Sequence, residues 1–287
     1  MRLECVPDDR SGAGKLNPII RIKDYLASPE DLPRFTPVYD VASRLLGCTW
    51  ADANRVAMCD TVGCNLNCWY CYQKGRSPKE VACSVDEVVD AFVSHAADFP
   101  IWRISGGEPL LQPAGARLVN KLTKKAARSQ HLVLLTTNGL IHGHLTPSPN
   151  LLIEISLKGL SDDFAAYVTG RRNLLAAQLP QVARYVDEGF LVMLNLVCLA
   201  PPDTAPADAR AAASRLCKRL RNIDATLPLQ TTPVVAKQYP WCPRWPDAID
   251  FAEEWRRELV QCYGWLNAMS PAASFLRRPT RPANRYA

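Results

Sequence analysis

Between residues 54 and 235 the chain alternates short apolar runs with longer amphipathic stretches, and this alternation restricts its fold more than any other feature. Short apolar runs bounded by turn residues suit strands buried on both faces. The amphipathic stretches between them suit crossover helices, so successive βα units and a parallel sheet follow. Strands are predicted at 54–60, 101–105, 132–136, 151–157 and 190–198, with a weaker sixth inside 226–235, where Pro228 and Pro233 restrict pairing. Helices are predicted at about 84–98, 113–128, 174–188, 205–221 and 247–264. Ser84 and Glu87 have capping-box spacing, and Gly189 is placed to end the helix before it. Six βα units fall short of a closed eight-stranded barrel. The predicted class is α/β, a partial (β/α)6 TIM-like barrel, whose chemistry gathers beyond the C-terminal ends of its strands.

The 287 residues divide into an N-terminal extension at 1–53, whose first fifteen residues read as a loose arm, the barrel at 54–235, and a C-terminal helix with a basic tail at 236–287. No run of 18 apolar residues predicts a membrane span, and residues 1–15 lack the apolar core of a signal peptide. A cytoplasmic protein with no membrane partner is therefore expected. The formal net charge of +6 is mild and suits a solvated surface. The tail arginines Arg277, Arg278, Arg281 and Arg285 either touch a polyanion such as RNA or belong to a frayed end.

Eleven cysteines are many for a reducing compartment, where a tight group points to metal or catalysis rather than to disulfides. One group is tight: Cys64-Asn-Leu-Asn-Cys68-Trp-Tyr-Cys71, directly after the first predicted strand. A [4Fe–4S] cluster usually takes four thiolates, so three leave one iron open to a ligand. Structural zinc is the competing reading, but it wants four protein ligands, and no second pair lies nearby. Cys59, inside the strand, reads as a core thiol, as do the scattered others.

The second strand runs into Ser105-Gly106-Gly107-Glu108-Pro109. Two glycines let backbone approach a ligand closely, a carboxylate can accept from an ammonium, and Pro109 fixes the exit. After the third strand, Asn138-Gly139 is either a simple turn or part of a cofactor pocket. On the fourth strand Glu154, Ser156 and Lys158 share one face, opposite Ile153, Ile155 and Leu157. Lys158 there either pairs with a ligand carboxylate or snorkels to solvent. Asn195 is polar inside the apolar fifth strand and needs a partner, either a bound ligand or a buried structural hydrogen bond; Met193 and Val197 are expected beside it.

Cys64, Cys68 and Cys71, with an aromatic Tyr70 before the third cysteine, together with Gly106-Gly107-Glu108-Pro109, resemble the signature of the radical S-adenosylmethionine (radical SAM) superfamily. The resemblance implies a [4Fe–4S] cluster on the three cysteines, with S-adenosyl-L-methionine chelated at the open iron. It implies Tyr70 beside the adenine, and Gly106, Gly107, Glu108 and Pro109 around the methionine amino group. Asn138 and Asn195 are candidate pocket and ribose contacts. The segment Glu154-Ile-Ser-Leu-Lys158-Gly159 resembles the strand of glycyl-radical-enzyme activating enzymes that meets the ribose and methionine carboxylate, which implies Ser156 and Lys158 as contacts. The expected activity is radical oxidoreductase chemistry. An electron donor of flavodoxin or ferredoxin type and a substrate held at the barrel mouth are implied, with a protein glycyl residue leading. RNA, or a small molecule or peptide, are the alternatives.

Overall fold

The computed structural model describes residues 3–4, 18–22, 56–71, 84–129, 131–197, 199–232 and 249–250. Six strands lie parallel and side by side in chain order: β3 (Val56–Thr61), β4 (Ile101–Gly106), β5 (Leu132–Thr137), β6 (Leu151–Leu157), β7 (Leu191–Val197) and β9 (Leu229–Thr232). This is the six-strand parallel α/β order of a partial TIM-like barrel, in which β5 runs to β6 without a helix between them. Two further strands, β1 (Leu3–Glu4) and β2 (Pro18–Ile22), extend the sheet antiparallel beyond β3. The N-terminal extension thus supplies two strands at this edge, of which Leu3–Glu4 falls in the stretch expected as a loose arm. β8 (Leu199–Ala200) pairs antiparallel with β10 (Ile249–Asp250) in a separate small sheet. A helix was expected to start at 247; Ile249–Asp250 are instead extended, and the rest of 247–264 lies outside the described residues.

The crossover helices are α1 (Val85–Ala96), α2 (Pro113–Ser129), α3 (Asp162–Thr169), α4 (Leu174–Asp187) and α5 (Pro206–Asp224). The capping box is present: Glu87 N donates to Ser84 Oγ at 3.2 Å, and Ser84 N to Glu87 Oε2 at 2.6 Å. Helix α4 ends as its glycine predicts, with Gly189 at φ +85° and the amides of Gly189 and Phe190 returning to the carbonyls of Val186 and Tyr185. Helix α3 is the unexpected element. Ser161 caps its start and Gly170, at φ +73°, its end.

Strand alternation sorts the side chains. Cys59, Trp102, Ile104, Val133, Leu135, Ile153, Ile155, Leu157, Leu194 and Leu196 face the helices and are buried with them in one core. Fully burying one such aliphatic side chain contributes about 1.5–3 kcal/mol. Asp60, Arg103, Ser105, Thr136, Glu154, Ser156 and Asn195 occupy the alternate positions, so the inner face turns polar toward the C-terminal strand ends, beyond the apolar Ile101, Leu132, Leu134 and Leu152. Among the described residues no helix is long and apolar enough to cross a membrane.

Candidate active site

The cysteine loop leaves the C-terminal end of β3, and the segment Ser105–Pro109 leaves the adjacent β4. Backbone bonds fasten the two: Gly107 N donates to Thr61 O, and Glu108 N to Gly63 O, both at 2.7 Å. The glycines are needed for this approach. A Cβ on Gly107 would stand 1.9 Å from the Gly63 carbonyl oxygen, and one on Gly106 would stand 2.4 Å from the Thr61 backbone. Gly106 also sits at φ +104°, which side chains rarely adopt. The far end of the loop docks on α3, where Trp69 N donates to Val168 O at 3.1 Å. Cys68 and Tyr70 are buried there with Val168, Val197 and Leu199. Cys71 N turns back to Cys68 O at 3.1 Å, and Cys64 is exposed at the loop's start.

Glu108 is turned into the protein. One carboxylate oxygen accepts from Thr137 Oγ1 at 2.7 Å and Leu110 N at 3.0 Å; the other accepts from Asn138 N at 2.7 Å. Burial pushes this carboxyl above its usual range, against three hydrogen bonds that favour the anion. Glu108 therefore ties the β4 and β5 loops together. Pro109 makes the next turn, and its carbonyl lies so close to Gly115 that a Cβ on Gly115 would stand 1.7 Å from it.

Asn138 begins the β5 loop and makes the turn that its Asn-Gly pair predicts. Its Oδ1 accepts from Leu140 N at 3.1 Å in a local turn, with Gly139 at φ +71°. Its Nδ2 reaches the cysteine loop, 2.6 Å from Asn65 Oδ1 and 3.8 Å from Cys64 Sγ.

Ser156 and Lys158 point to the same mouth. Lys158 Nζ donates to Ser156 Oγ at 2.7 Å and lies 5.9 Å from the Tyr70 ring centre. Burial raises the Cys64 and Cys68 thiols above their usual range, and the Lys158 ammonium pulls both down. Cys59 has no such help. It is fully buried on the opposite face and its thiol is held far above the usual range, as a core cysteine should be.

Beneath the mouth lies a polar floor, of which the sequence reading had Glu154 and Asn195 and missed Arg103. Arg103 donates to Thr136 Oγ1 at 3.1 Å and pairs with Glu154 Oε2 at 3.2 Å; Thr136 also donates to Glu154 Oε2, at 2.7 Å. Asn195 donates to the other Glu154 oxygen at 3.2 Å, so the structural partner is the one realised here. Met193 and Val197 share the face of Asn195, as expected. The available signal was Arg103 itself, a charge inside the apolar strand Ile-Trp-Arg-Ile-Ser.

No three His, Cys, Asp or Glu side chains among the described residues close around a single ion. A cubane holds its irons at separate corners and asks for separated thiols on one short, anchored loop. The donor set is three sulfurs with no carboxylate or imidazole among them, a soft set suited to an iron–sulfur cluster. The residues present fit that group, with Cys64, Cys68 and Cys71 to hold it.

A family profile, the Radical SAM superfamily, matches residues 58–204, from β3 through β7. A 7-carboxy-7-deazaguanine synthase of Methanothermobacter thermautotrophicus is 25% identical over 234 residues, covering 76% of this chain and 90% of that one. A second such synthase, from Halobacterium salinarum, is 38% identical over 85 residues, and there the chain spans 31% of the relative's length and 29% of its own. A protein of Methanocaldococcus jannaschii, provisionally named a glycyl-radical enzyme activating enzyme, is 28% identical over 60% of this chain and 64% of its own. The solved structure of TYW1 with a lysine-pyruvate adduct bound covers 86% of this chain and 83% of its own at a TM-score of 0.53 and 14% identity, a likeness of fold alone.

Proposed function

We propose a substrate class for this chain, which belongs to the Radical SAM superfamily: a glycyl residue of a partner protein. The cofactors of the superfamily are a [4Fe–4S] cluster and S-adenosylmethionine, which together supply a 5′-deoxyadenosyl radical able to take a hydrogen atom from a substrate. Around that chemistry the chain's own residues act by holding and screening. Cys64, Cys68 and Cys71 bind the cluster. The backbone of Gly106 to Pro109, with Tyr70, Asn138, Ser156 and Lys158, forms the S-adenosylmethionine pocket, and Asn195 stands in the floor beneath it. In that pocket the Lys158 ammonium holds the methionine carboxylate, and the Tyr70 side of the loop shields the adenine.

One observation carries the substrate reading. The inner face below the cysteines is already filled by Arg103, Thr136, Glu154 and Asn195, with Glu154 4% and Asn195 7% exposed. Reacting atoms must be presented at the mouth above this floor, as a projecting loop glycine is. The run from Glu154 to Gly159 and the name of the Methanocaldococcus jannaschii relative support the same reading. A one-electron donor of flavodoxin or ferredoxin type completes the system. A reducing, cytoplasmic setting suits cysteines that serve as cluster ligands.

A second reading, a small heterocyclic substrate, rests on the relative whose length is 90% covered, a 7-carboxy-7-deazaguanine synthase. RNA remains the third, and its basic tail lies outside the described residues. The test is complementation. Expression in a strain lacking its own 7-carboxy-7-deazaguanine synthase should leave that product absent by mass spectrometry. Co-expression with the glycyl-radical enzyme of the host should give a glycyl-radical signal by electron paramagnetic resonance. Product formation without the protein radical would overturn the glycyl reading.

A further inference from the structure

The amide of Asn138 has one available orientation. Its Oδ1 accepts from the backbone of Leu140 at 3.1 Å, so Nδ2 must point the other way. The residue is only 6% exposed and cannot easily swing out. Its backbone N–H is held by Glu108 at 2.7 Å, and its backbone carbonyl by Gln178 Nε2 at 2.6 Å. Gln178 is fully buried and also bonds Ser156 O at 3.0 Å, so the clamp is itself fixed between the β5 and β6 loops.

Nδ2 carries two hydrogens. One goes to Asn65 Oδ1 at 2.6 Å; the other lies toward Cys64 Sγ at 3.8 Å. The Leu66 amide approaches the same sulfur at 3.4 Å. As a thiol, Cys64 also lies 3.9 Å from Asn65 Oδ1. As an iron ligand it is a thiolate with no hydrogen to give, and among the described residues the two N–H donors remain to it.

We propose that Asn138 donates an N–H···S hydrogen bond to the Cys64 thiolate and so raises the reduction potential of the cluster. The proposal rests on the cluster reading above and adds a role outside the S-adenosylmethionine pocket for this side chain. Reduction adds one electron to the cluster, and part of that charge falls on its sulfur ligands. A donor aimed at such a sulfur stabilises the reduced state more than the oxidised one, and hydrogen bonds to the sulfurs are among the factors that set cluster potentials. Asn138 is a positioning residue. It touches a ligand sulfur and leaves the substrate alone. Lys158 favours the thiolates through its charge, and the amide does so through one directed bond.

The experiment uses the full chain, reconstituted anaerobically with iron and sulfide, as wild type, Asn138→Ala and Asn138→Asp. Iron and sulfide are counted, and the midpoint is then read by a dye-mediated titration followed by electron paramagnetic resonance, with no substrate present. Both variants should keep the full cluster. In Asn138→Ala the reduced-to-oxidised ratio at a fixed potential should fall about tenfold, a shift of about 59 mV to lower potential for one electron. Asn138→Asp keeps the acceptor for Leu140 and loses the donor, and it should shift at least as far. A full cluster with an unmoved midpoint in both variants overturns the proposal and leaves the cluster reading intact. Loss of the cluster in both variants also overturns it, because all three cysteines and both loop anchors remain. A wild-type chain that takes up no iron is the separate failure of the cluster reading.

Discussion

Replacing Gly107 by alanine tests how the cysteine loop is held. The new Cβ would stand 1.9 Å from the Gly63 carbonyl oxygen, whereas ordinary contact begins at 3.4 Å. The β4 loop and the root of the cysteine loop must therefore separate by about 1.5 Å. The obstacle is backbone, so no side-chain rotation relieves it. The Glu108 N to Gly63 O bond, 2.7 Å long, cannot survive that movement. Overpacking of this kind costs about 1–3 kcal/mol, and a lost backbone hydrogen bond about 0.5–1.5 more. With a total near 3 kcal/mol, a chain of this size should melt about 6–12 °C lower. Because Cys64 follows Gly63 directly, iron content should fall as well. The assay is thermal unfolding of the apo chain by circular dichroism, paired with iron counting after anaerobic reconstitution. An alanine variant with wild-type melting and a full cluster would refute this docking of the two loops.

Single replacements Cys64→Ala, Cys68→Ala and Cys71→Ala should each abolish the [4Fe–4S] absorbance and lower the iron count, whereas Cys59→Ala should retain the cluster; cluster loss only in the Cys59 variant would reverse the ligand assignment. Lys158→Ala should weaken S-adenosylmethionine binding about tenfold, about 1.4 kcal/mol by equilibrium dialysis, with iron content unchanged; an unaltered affinity would remove Lys158 from the pocket. Burial lowers the His142 imidazole below its ordinary 6.5, even with the Glu188 carboxylate 2.8 Å away. The unfolded chain then binds the proton more readily, so this contribution to stability is present above pH 6.5 and lost as pH falls through the lowered value. His142→Gln should flatten urea-denaturation stability across that window, and an unchanged pH profile would contradict the assignment.

The strands and helix ends were legible because their signals are local. Leu151–Leu157 falls where its alternation puts it, and Ser84, Glu87 and Gly189 cap as their types predict. Helix α3 escaped because its eight residues span little more than two turns between Ser161 and Gly170, too few for a period to emerge. The run Pro18-Ile-Ile-Arg-Ile22 did carry a β-branched strand signal. It lies in the N-terminal extension, where no element was predicted. Within the site, Cys64, Cys68, Cys71 and the two glycines declare themselves by spacing. The partners of Glu108 and Arg103 do not, because Asn138 lies 30 residues from Glu108, and Glu154 lies 51 from Arg103. A carboxylate that looks in sequence like a ligand contact is, once folded, satisfied by neighbouring loops.

The most direct measurement of the central claim is turnover of S-adenosylmethionine by the reconstituted chain. With about four iron and four sulfide per chain, as a [4Fe–4S] cluster requires, and dithionite as reductant, the account predicts slow release of 5′-deoxyadenosine and methionine in equal amounts, seen by liquid chromatography without any added substrate. The triple variant Cys64→Ala, Cys68→Ala, Cys71→Ala should release neither. A fully loaded, reducible cluster that neither binds nor cleaves S-adenosylmethionine would contradict the account.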